Sequence, residues 1–202
     1  MELREILESD SWKTAARFHG HVCPGLAIGY RAAMTAMDWL KDQRSLDEEI
    51  VAISETNACG VDAIQTITGC TSGKGNLILK DYGKNVFTFV SRNTGQGIRI
   101  SLKPDILSLD PRHRELINLV RLDQANEDEI AEFRKIHTEK SHSILAKEID
   151  ELFALTQAKL EMPAKAVIEP SELCQKCMEP TMPSKTELVG ELKVCRDCYS
   201  KM

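Results

Sequence analysis

Apolar residues recur at helical spacing in three stretches of the chain. The first, residues 3–17, has a broken spacing that predicts a short amphipathic helix or two separate turns. The second predicts a helix over residues 24–40, with Met34 on its buried stripe. The third predicts one long helix over residues 127–160, with a break near Ser141 as the alternative.

Short apolar runs bounded by glycine and polar residues lie between the second and third of these stretches and predict strands. The predicted strands cover residues 50–54, 77–80, 86–90 and 98–102. A helix is predicted over residues 61–67, so that Cys59 falls in a strand-to-helix turn. A helix–strand–helix start followed by a meander predicts an α+β sheet domain.

The chain is long enough for one large domain, or for one medium domain and a small appendage. Its 202 residues are 42% hydrophobic, which is ample for a packed core. We predict a core domain over residues 1–162 and a linker over residues 163–170, which begins and ends on a proline. Residues 171–202 then form a separate four-cysteine module.

Composition and charge exclude some functions. The formal net charge of −5 and the pI near 5.6 disfavour binding of nucleic acid, although a local basic patch stays compatible with them. Residues 1–5 carry acids where a signal peptide carries basic and then apolar residues, and no apolar run approaches the roughly 18 residues of a membrane span. We therefore expect a cytoplasmic protein with no membrane contact, in which seven cysteines favour metal ligands or reactive thiols over disulfides.

Two Cys-x2-Cys pairs close the chain, and their spacing is that of a structural zinc module. The pairs are separated by 17 residues, and each can turn two thiolates toward one tetrahedral ion. A hairpin over residues 188–192 and a helix starting in residues 195–202 would give a treble-clef finger. Four free cysteines without metal are the disfavoured alternative. The predicted zinc ligands are Cys174, Cys177, Cys195 and Cys198.

A dense group of histidines and cysteines follows the first helical stretch. If residues 18–23 are extended, then His19, His21 and Cys23 point to the same side of the chain. His21 and Cys23 would lie about 7 Å apart at the backbone, close enough to share an ion. His19 joins them only if Gly20 bends the chain; otherwise it supports a ligand or faces the substrate.

Cys23 and Cys59 both precede a predicted helix, whose dipole would favour the thiolate form. Together with His21 they would make an open three-ligand site, which is typical of a catalytic divalent metal such as zinc. Cys70 lies at the far end of the second helix, so it joins this site only if its loop folds back, and a buried structural role is favoured for it.

Other candidate groups receive structural interpretations. His113, His137 and His142 lie in strongly charged helical segments, where we expect them to be solvated. The glycine-containing loop over residues 69–76 lacks the first glycine of a P-loop and the hydroxyl residue after its lysine, so nucleotide binding is disfavoured.

Four motifs together resemble the family of the E-type subunits of formylmethanofuran dehydrogenase. The resemblance covers residues 10–150, and the combination is more specific than any single motif. The motifs are Phe18-His19-Gly20-His21-Val22-Cys23-Pro24-Gly25-Leu26, Cys59 with Asp62-Ala63-Ile64-Gln65, Thr68-Gly69-Cys70-Thr71 with Gly73-Lys74-Gly75-Asn76-Leu77, and Asp81-Tyr82-Gly83-Lys84.

This resemblance implies a thioredoxin-like α+β core with a mixed five-stranded sheet flanked by helices. It also implies an active-site cleft that binds metal through the His/Cys stretch and the Cys59 region, a treble-clef C-terminal domain and a homodimer. The family name implies association with a molybdenum or tungsten oxidoreductase. Cys23 is followed by Pro24-Gly25-Leu26, so the Cys-x-x-Cys of disulfide exchange is absent from this stretch.

Three hypotheses for the function follow. The first is a metal-dependent enzyme, in which an open metal polarises a carbonyl or activates water and His19 transfers a proton. The second is a non-catalytic accessory subunit, or a metal carrier or sensor, for a larger oxidoreductase. The third is a zinc-finger regulator that binds nucleic acid, which the charge disfavours.

Overall fold

A computed structural model of the chain describes residues 2–41, 44–158 and 162–202. The chain divides into two compact units, Met1–Lys165 and Ala166–Met202, here called the core unit and the finger unit. Within the described residues, no helix combines the length and apolar character needed to cross a membrane.

The core unit contains both helices and strands. Its helices are α1 (Leu3–Glu8), α2 (Asp10–His19), α3 (Pro24–Leu40), α4 (Gly60–Thr68), α5 (Pro111–Arg121), α6 (Glu127–Ala146) and α7 (Ile149–Leu152). Its strands are β1 (Ile50–Ser54), β2 (Leu77–Leu79), β3 (Val86–Ser91), β4 (Gly97–Leu102) and β5 (Phe153–Ala158). A 3₁₀ turn, Pro104–Leu107, follows β4.

Capping side chains set where the first helices begin. Ser9 separates α1 from α2 and accepts the backbone N–H of Trp12 at 3.2 Å, as an N-cap residue does. Helix α3 starts at Pro24, whose ring suits the first helical position, directly after the extended N-cap residue Cys23. The broken spacing of residues 3–17 thus corresponds to two helices.

The strands form one mixed sheet in the order β2-β1-β3-β4-β5. Strand β1 runs parallel to β2, with Ala52 opposite Leu77, and the other neighbours are antiparallel. Phe87 and Phe89 of β3 are fully buried in the hydrophobic core, to which α3 and α4 also contribute. The predicted α+β class and mixed five-stranded sheet are confirmed.

The prediction of one long third helix is wrong beyond Ala146. Helix α6 passes through Ser141 without a break, and the chain then turns extended at Lys147. After the single turn of α7, the chain continues as β5, which pairs with β4. Phe153 is buried at the start of this strand, so an apolar residue that fitted a helical stripe reaches the core from a strand instead. The predicted end at Leu160 lies outside the described residues.

The finger unit is built from short elements around the four cysteines. They are β6 (Glu172–Leu173), β7 (Pro180–Thr181), β8 (Thr186–Val189), β9 (Leu192–Cys195) and α8 (Arg196–Ser200), with a 3₁₀ turn over Pro183–Lys185. A knuckle joins β6 to β7, β8 and β9 form a hairpin, and α8 follows directly. This order is the one predicted for a treble-clef finger.

Candidate metal centres

Helices α3 and α4 cross so closely that the crossing admits only glycine. A Cβ atom built on Gly29 would lie 2.1 Å from the Gly60 carbonyl oxygen, far inside van der Waals contact. One turn earlier, a Cβ atom on Gly25 would lie 3.1 Å from the Cβ of Cys59. The close approach therefore sets Cys23, the N-cap of α3, beside Cys59, the N-cap of α4.

The backbone conformation that brings His19 and His21 to the Cys23–Cys59 region differs from the predicted one. Residues 18–23 are not extended throughout, because α2 continues through His19 and ends at Gly20. Gly20 has a φ of 91°, a left-handed conformation that glycine adopts without steric cost. The turn places ligand atoms of His19, His21 and Cys23 within 4.8 Å of one another. The bend at Gly20 is thus the condition under which His19 was expected to join the site.

His19 is held by a carboxylate to which the sequence analysis assigned no role. Its Nδ1 lies 2.7 Å from Oδ2 of Asp62, on the first turn of α4, while its Nε2 lies 3.7 Å from Sγ of Cys23. A carboxylate accepts, so a neutral His19 carries its proton on Nδ1 and presents the lone pair of Nε2 toward Cys23. A histidine that binds a metal is typically oriented by such a carboxylate.

Burial controls the protonation of the Cys23 thiol. Burial, reinforced by the neighbouring Cys59 thiol, raises the pKa of Cys23 to about 11, although the Leu26 backbone N–H, which donates to its Sγ at 3.3 Å, acts in the opposite direction. The start of α3 thus favours a Cys23 thiolate, as expected, but in the protein without a cation burial outweighs this effect. A bound metal ion supplies the compensating charge, because a thiol loses its proton when it becomes a ligand.

The residues of this group fit a zinc-type ion. Imidazole nitrogen and thiolate sulfur are the donors that zinc prefers, and three of them converge here. Cys23 is buried and His21 is exposed, so the group is closed on one side and accessible on the other. Cys59 is half-buried at the edge of the group, and its side chain interacts with that of Cys23.

Cys70 lies apart from this group. Its Sγ donates to the backbone carbonyl of Ile50, at the start of β1, whereas Cys59 follows the end of that strand. Helix α4 also separates the two cysteines, because Cys59 caps its start and Cys70 follows its end. Cys70 is fully buried, and burial raises the pKa of its thiol to about 11. The structure thus places Cys70 in the core and not with the group around Cys23.

Two histidines predicted to be solvated are packed into the core unit. His113 is buried, and its Nε2 lies 3.0 Å from Nδ1 of His137. The ring centroids of His137 and Phe133 are 4.6 Å apart. Burial lowers the pKa of His137. The prediction failed because the charges of these helical segments lie on their outer faces, while the histidines lie between α5 and α6.

A cleft of about 360 Å³ opens beside His21. It runs between the loop after α2 and one face of α6, and its lining is mostly apolar. The described residues that line it are His21, Val22, Phe133, Arg134, His137 and Thr138. A second groove, of about 460 Å³, lies at Met34 and carries none of the candidate ligands. Met34 is therefore half-buried at a groove, whereas the helical stripe predicted it wholly in the core.

The four cysteines of the finger unit converge on one point. Their sulfur atoms all lie within 4.8 Å of one another. Backbone N–H groups donate to these sulfurs, from Cys195 to Cys174 at 3.2 Å and from Cys198 to Cys195 at 3.4 Å. Such bonds favour thiolate, and the N–H groups of Cys177 and Cys195 lower the pKa of Cys174 to about 6. The cluster is compatible with a zinc finger.

Comparison with protein families identifies the group to which the chain belongs. Residues 18–154, more than half of the 202 residues, match the model described as "FmdE, Molybdenum formylmethanofuran dehydrogenase operon". The chain belongs to the FmdE family. The matched range contains the core group, and the four cysteines of the finger unit lie beyond it.

Two proteins similar to this FmdE family member differ in how much of their own length the chain matches. A protein of Archaeoglobus fulgidus, named "Probable S-adenosyl-L-methionine-binding protein", is 31% identical over 179 residues, which is 86% of this chain and 49% of that protein. The chain thus spans about half the length of this relative. The crystal structure of an FmdE-like protein of the tungsten formylmethanofuran dehydrogenase type, from Syntrophus aciditrophicus, has a TM-score of 0.60 and 24% identity, covering 97% of this chain and 95% of that one. This likeness shows a shared fold.

Sequence reasoning placed Asp62 in a family motif but missed its contact with His19. A signal was present, because Asp62 follows Cys59 by three residues and such residues lie on the same face of a helix. The spacing did not indicate that α2 packs against α4, and this packing brings His19 to that face. In this FmdE family member the candidate ligand group therefore depends on a contact between helices.

Proposed function

We propose that this member of the FmdE family binds two metal ions in different roles. One is a structural zinc in the finger unit, held by Cys174, Cys177, Cys195 and Cys198. The other is a divalent metal, which we take to be zinc, in the core unit, held by His19, His21 and Cys23, with the fourth position left open and Cys59 beside Cys23 at its edge. We propose that the core metal is the functional centre.

The pairing of Asp62 with His19 is the observation that carries this proposal. A ligand histidine gains a fixed tautomer and a fixed ring orientation from a carboxylate partner. The 2.7 Å contact leaves Nε2 directed at Cys23. This geometry supports a ligand role for His19 over the proton-transfer role considered from the sequence, because a nitrogen that binds metal does not carry a proton.

The arrangement around the ligands suits a centre that reacts with a substrate. A zinc ion bound there would polarise a carbonyl group or activate a water molecule. Buried Cys23 keeps solvent from one side, and exposed His21 leaves the other side to the cleft. Asp62 keeps the proton of His19 on Nδ1.

We propose further that the chain works with a molybdenum or tungsten oxidoreductase. The description of the FmdE family names a molybdenum formylmethanofuran dehydrogenase operon, and the Syntrophus protein is named after the tungsten enzyme. A cytoplasmic homodimer remains our expectation from the composition and the family resemblance. The S-adenosyl-L-methionine binding named for the Archaeoglobus relative is not part of the proposal, since the chain matches about half of that protein.

A second candidate function is that of an accessory subunit that carries or senses metal. The exposure of His21 favours it, because a ligand at the surface gives an acceptor access to the ion. The two functions differ in how firmly the core metal is held. A carrier gives up its core zinc quickly to the chelator 4-(2-pyridylazo)resorcinol, whereas a catalytic centre retains it over the time of an assay.

Cobalt substitution tests whether the core centre is open. Cobalt(II) in an open site changes its visible absorption when azide binds, and a closed four-thiolate site gives no such response. We expect azide to change the spectrum of the cobalt-loaded full chain and of the matched control Cys70→Ser, and to leave that of Cys23→Ser unchanged. An azide response that persists in Cys23→Ser, or is absent from the wild type, would contradict the proposal.

A further inference from the structure

The lining of the cleft beside His21 combines one charged residue with apolar residues. Arg134, an exposed residue of α6, is one of its lining residues. The carboxylate nearest along the helix, Glu132, is already occupied, because Arg112 of α5 binds both of its oxygens, at 2.6 Å and 3.1 Å. Among the residues that the structure describes, Arg134 has no ion pair or side-chain hydrogen bond.

A second polar group is fixed on the same wall. His137 lies one helical turn from Arg134, and its Nδ1 is held by buried His113 at 3.0 Å. Because Nδ1 is occupied, Nε2 is the nitrogen of His137 left for the cleft. The ring cannot turn away without separating from His113 and from Phe133, whose ring packs against it. His137 thus offers a hydrogen-bonding edge of set orientation beside the Arg134 cation.

The other lining residues indicate the charge and polarity of the ligand that the cleft can bind. Val22 and Phe133 contribute apolar surface to the cleft, and no acidic residue lines it in the described part of the chain. Arg134 is the one residue of permanent charge among the described lining residues, so it balances a single negative charge. The planar fork of arginine matches the two oxygens of a carboxylate. A cleft of about 360 Å³ accommodates a small organic acid.

We propose that this cleft binds a small monocarboxylate with a flat apolar body. Its carboxylate contacts Arg134 and His137, its body lies on Phe133 and Val22, and its far end points to His21. The proposal rests on the proposed function in one respect, since the ligand reaches a metal only if the core group binds one. Recognition of the carboxylate by Arg134 does not need the metal.

Calorimetric titration of the zinc-loaded full chain with benzoate tests this proposal. We expect benzoate to bind, and Arg134→Gln to weaken it by about tenfold or more, the effect of losing a charge-assisted hydrogen-bonded pair. Lys135→Gln is the matched control, since it removes one positive charge from the adjacent residue, which lies outside the cleft lining. It should change the affinity by less than about twofold. Benzamide, which is neutral and of the same shape, should bind at least about tenfold more weakly than benzoate.

Three results would overturn the inference: no benzoate binding at millimolar concentration, equal affinities in Arg134→Gln and Lys135→Gln, or equal affinities for benzamide and benzoate. Inorganic phosphate that binds with the same Arg134 dependence in place of benzoate would also overturn it. Metal content is measured on the same samples. Arg134-dependent binding of benzoate to a chain that holds no core metal would uphold the inference and contradict the proposed function.

Discussion

His19 and Asp62 lie on different helices, 43 residues apart in sequence, and are joined by a 2.7 Å contact between Nδ1 and Oδ2. The contact is made across the packing of α2 against α4. It sets the direction of His19 Nε2, which lies 3.7 Å from Sγ of Cys23. The geometry of the core group thus depends on a residue that is not itself one of the proposed ligands.

Asp62→Asn should weaken core metal binding while leaving the fold intact. The amide keeps the shape of the side chain and loses the charge that fixes the tautomer of His19, a loss that typically lowers metal affinity by about 10- to 100-fold. Competition for zinc with a chelator of known affinity measures the change. Asp81→Asn is the control, because Asp81 accepts a hydrogen bond from Asn57 on the surface. Equal zinc affinities in the two variants would show that Asp62 does not orient a ligand.

Gly29→Ala should destabilise the core unit. The new Cβ would lie 2.1 Å from the Gly60 carbonyl oxygen, so the two helices must separate, at a typical cost of about 1–3 kcal/mol. Urea unfolding monitored by circular dichroism gives the change in the free energy of unfolding. Gly73→Ala is the matched control, since its Cβ would meet nothing within 4 Å. The close crossing would be refuted as a constraint if both variants unfolded at the same urea concentration.

The fold of the finger unit should depend on its bound metal, whereas the fold of the core unit should not. Its own buried cluster holds few residues, Cys174, Val194, Cys195 and Cys198, so metal ligation contributes most of its folding free energy. We expect Cys198→Ser to abolish hydrogen-exchange protection in residues 172–200 of the full chain and to leave β1 and β3 protected. Protection of the finger that survives the substitution would mean that its fold does not need the fourth thiolate.

Cys70 should be inert toward alkylation in the native protein. Iodoacetamide reacts with thiolate, and burial raises the pKa of Cys70 to about 11, so at about pH 8 the thiol stays protonated as well as covered. Mass spectrometry after a short exposure should find Cys70 unmodified in folded protein and modified in urea. Equal labelling in both states would indicate that Cys70 is accessible, contrary to its place in the core.

The two candidate metal groups were predictable to different degrees. The four finger cysteines follow from spacing alone, because each knuckle is a local structure of two ligands. His19, His21 and Cys23 were expected on one side of an extended segment, whereas a helix end and a left-handed Gly20 bring them together. The three residues were thus predicted to share a pocket, but the backbone conformation predicted to bring them there was wrong.

Contacts between distant segments account for what the sequence did not reveal. Asp62 matters because α2 packs on α4, and hydrophobic spacing contains no information on which helices meet. The same limit applies to β5, since Leu152 and Phe153 fit a helical stripe as well as the start of a strand. Pairing with β4, a tertiary interaction, decides between the two.

Metal content per chain tests the central claim most directly. Inductively coupled plasma mass spectrometry of the full chain should find two zinc equivalents in the wild type and in Cys70→Ser, and one in Cys23→Ser. A separate loss of one equivalent in Cys198→Ser would assign the other ion to the finger unit. A single equivalent in the wild type that Cys23→Ser leaves unchanged would contradict the core metal centre.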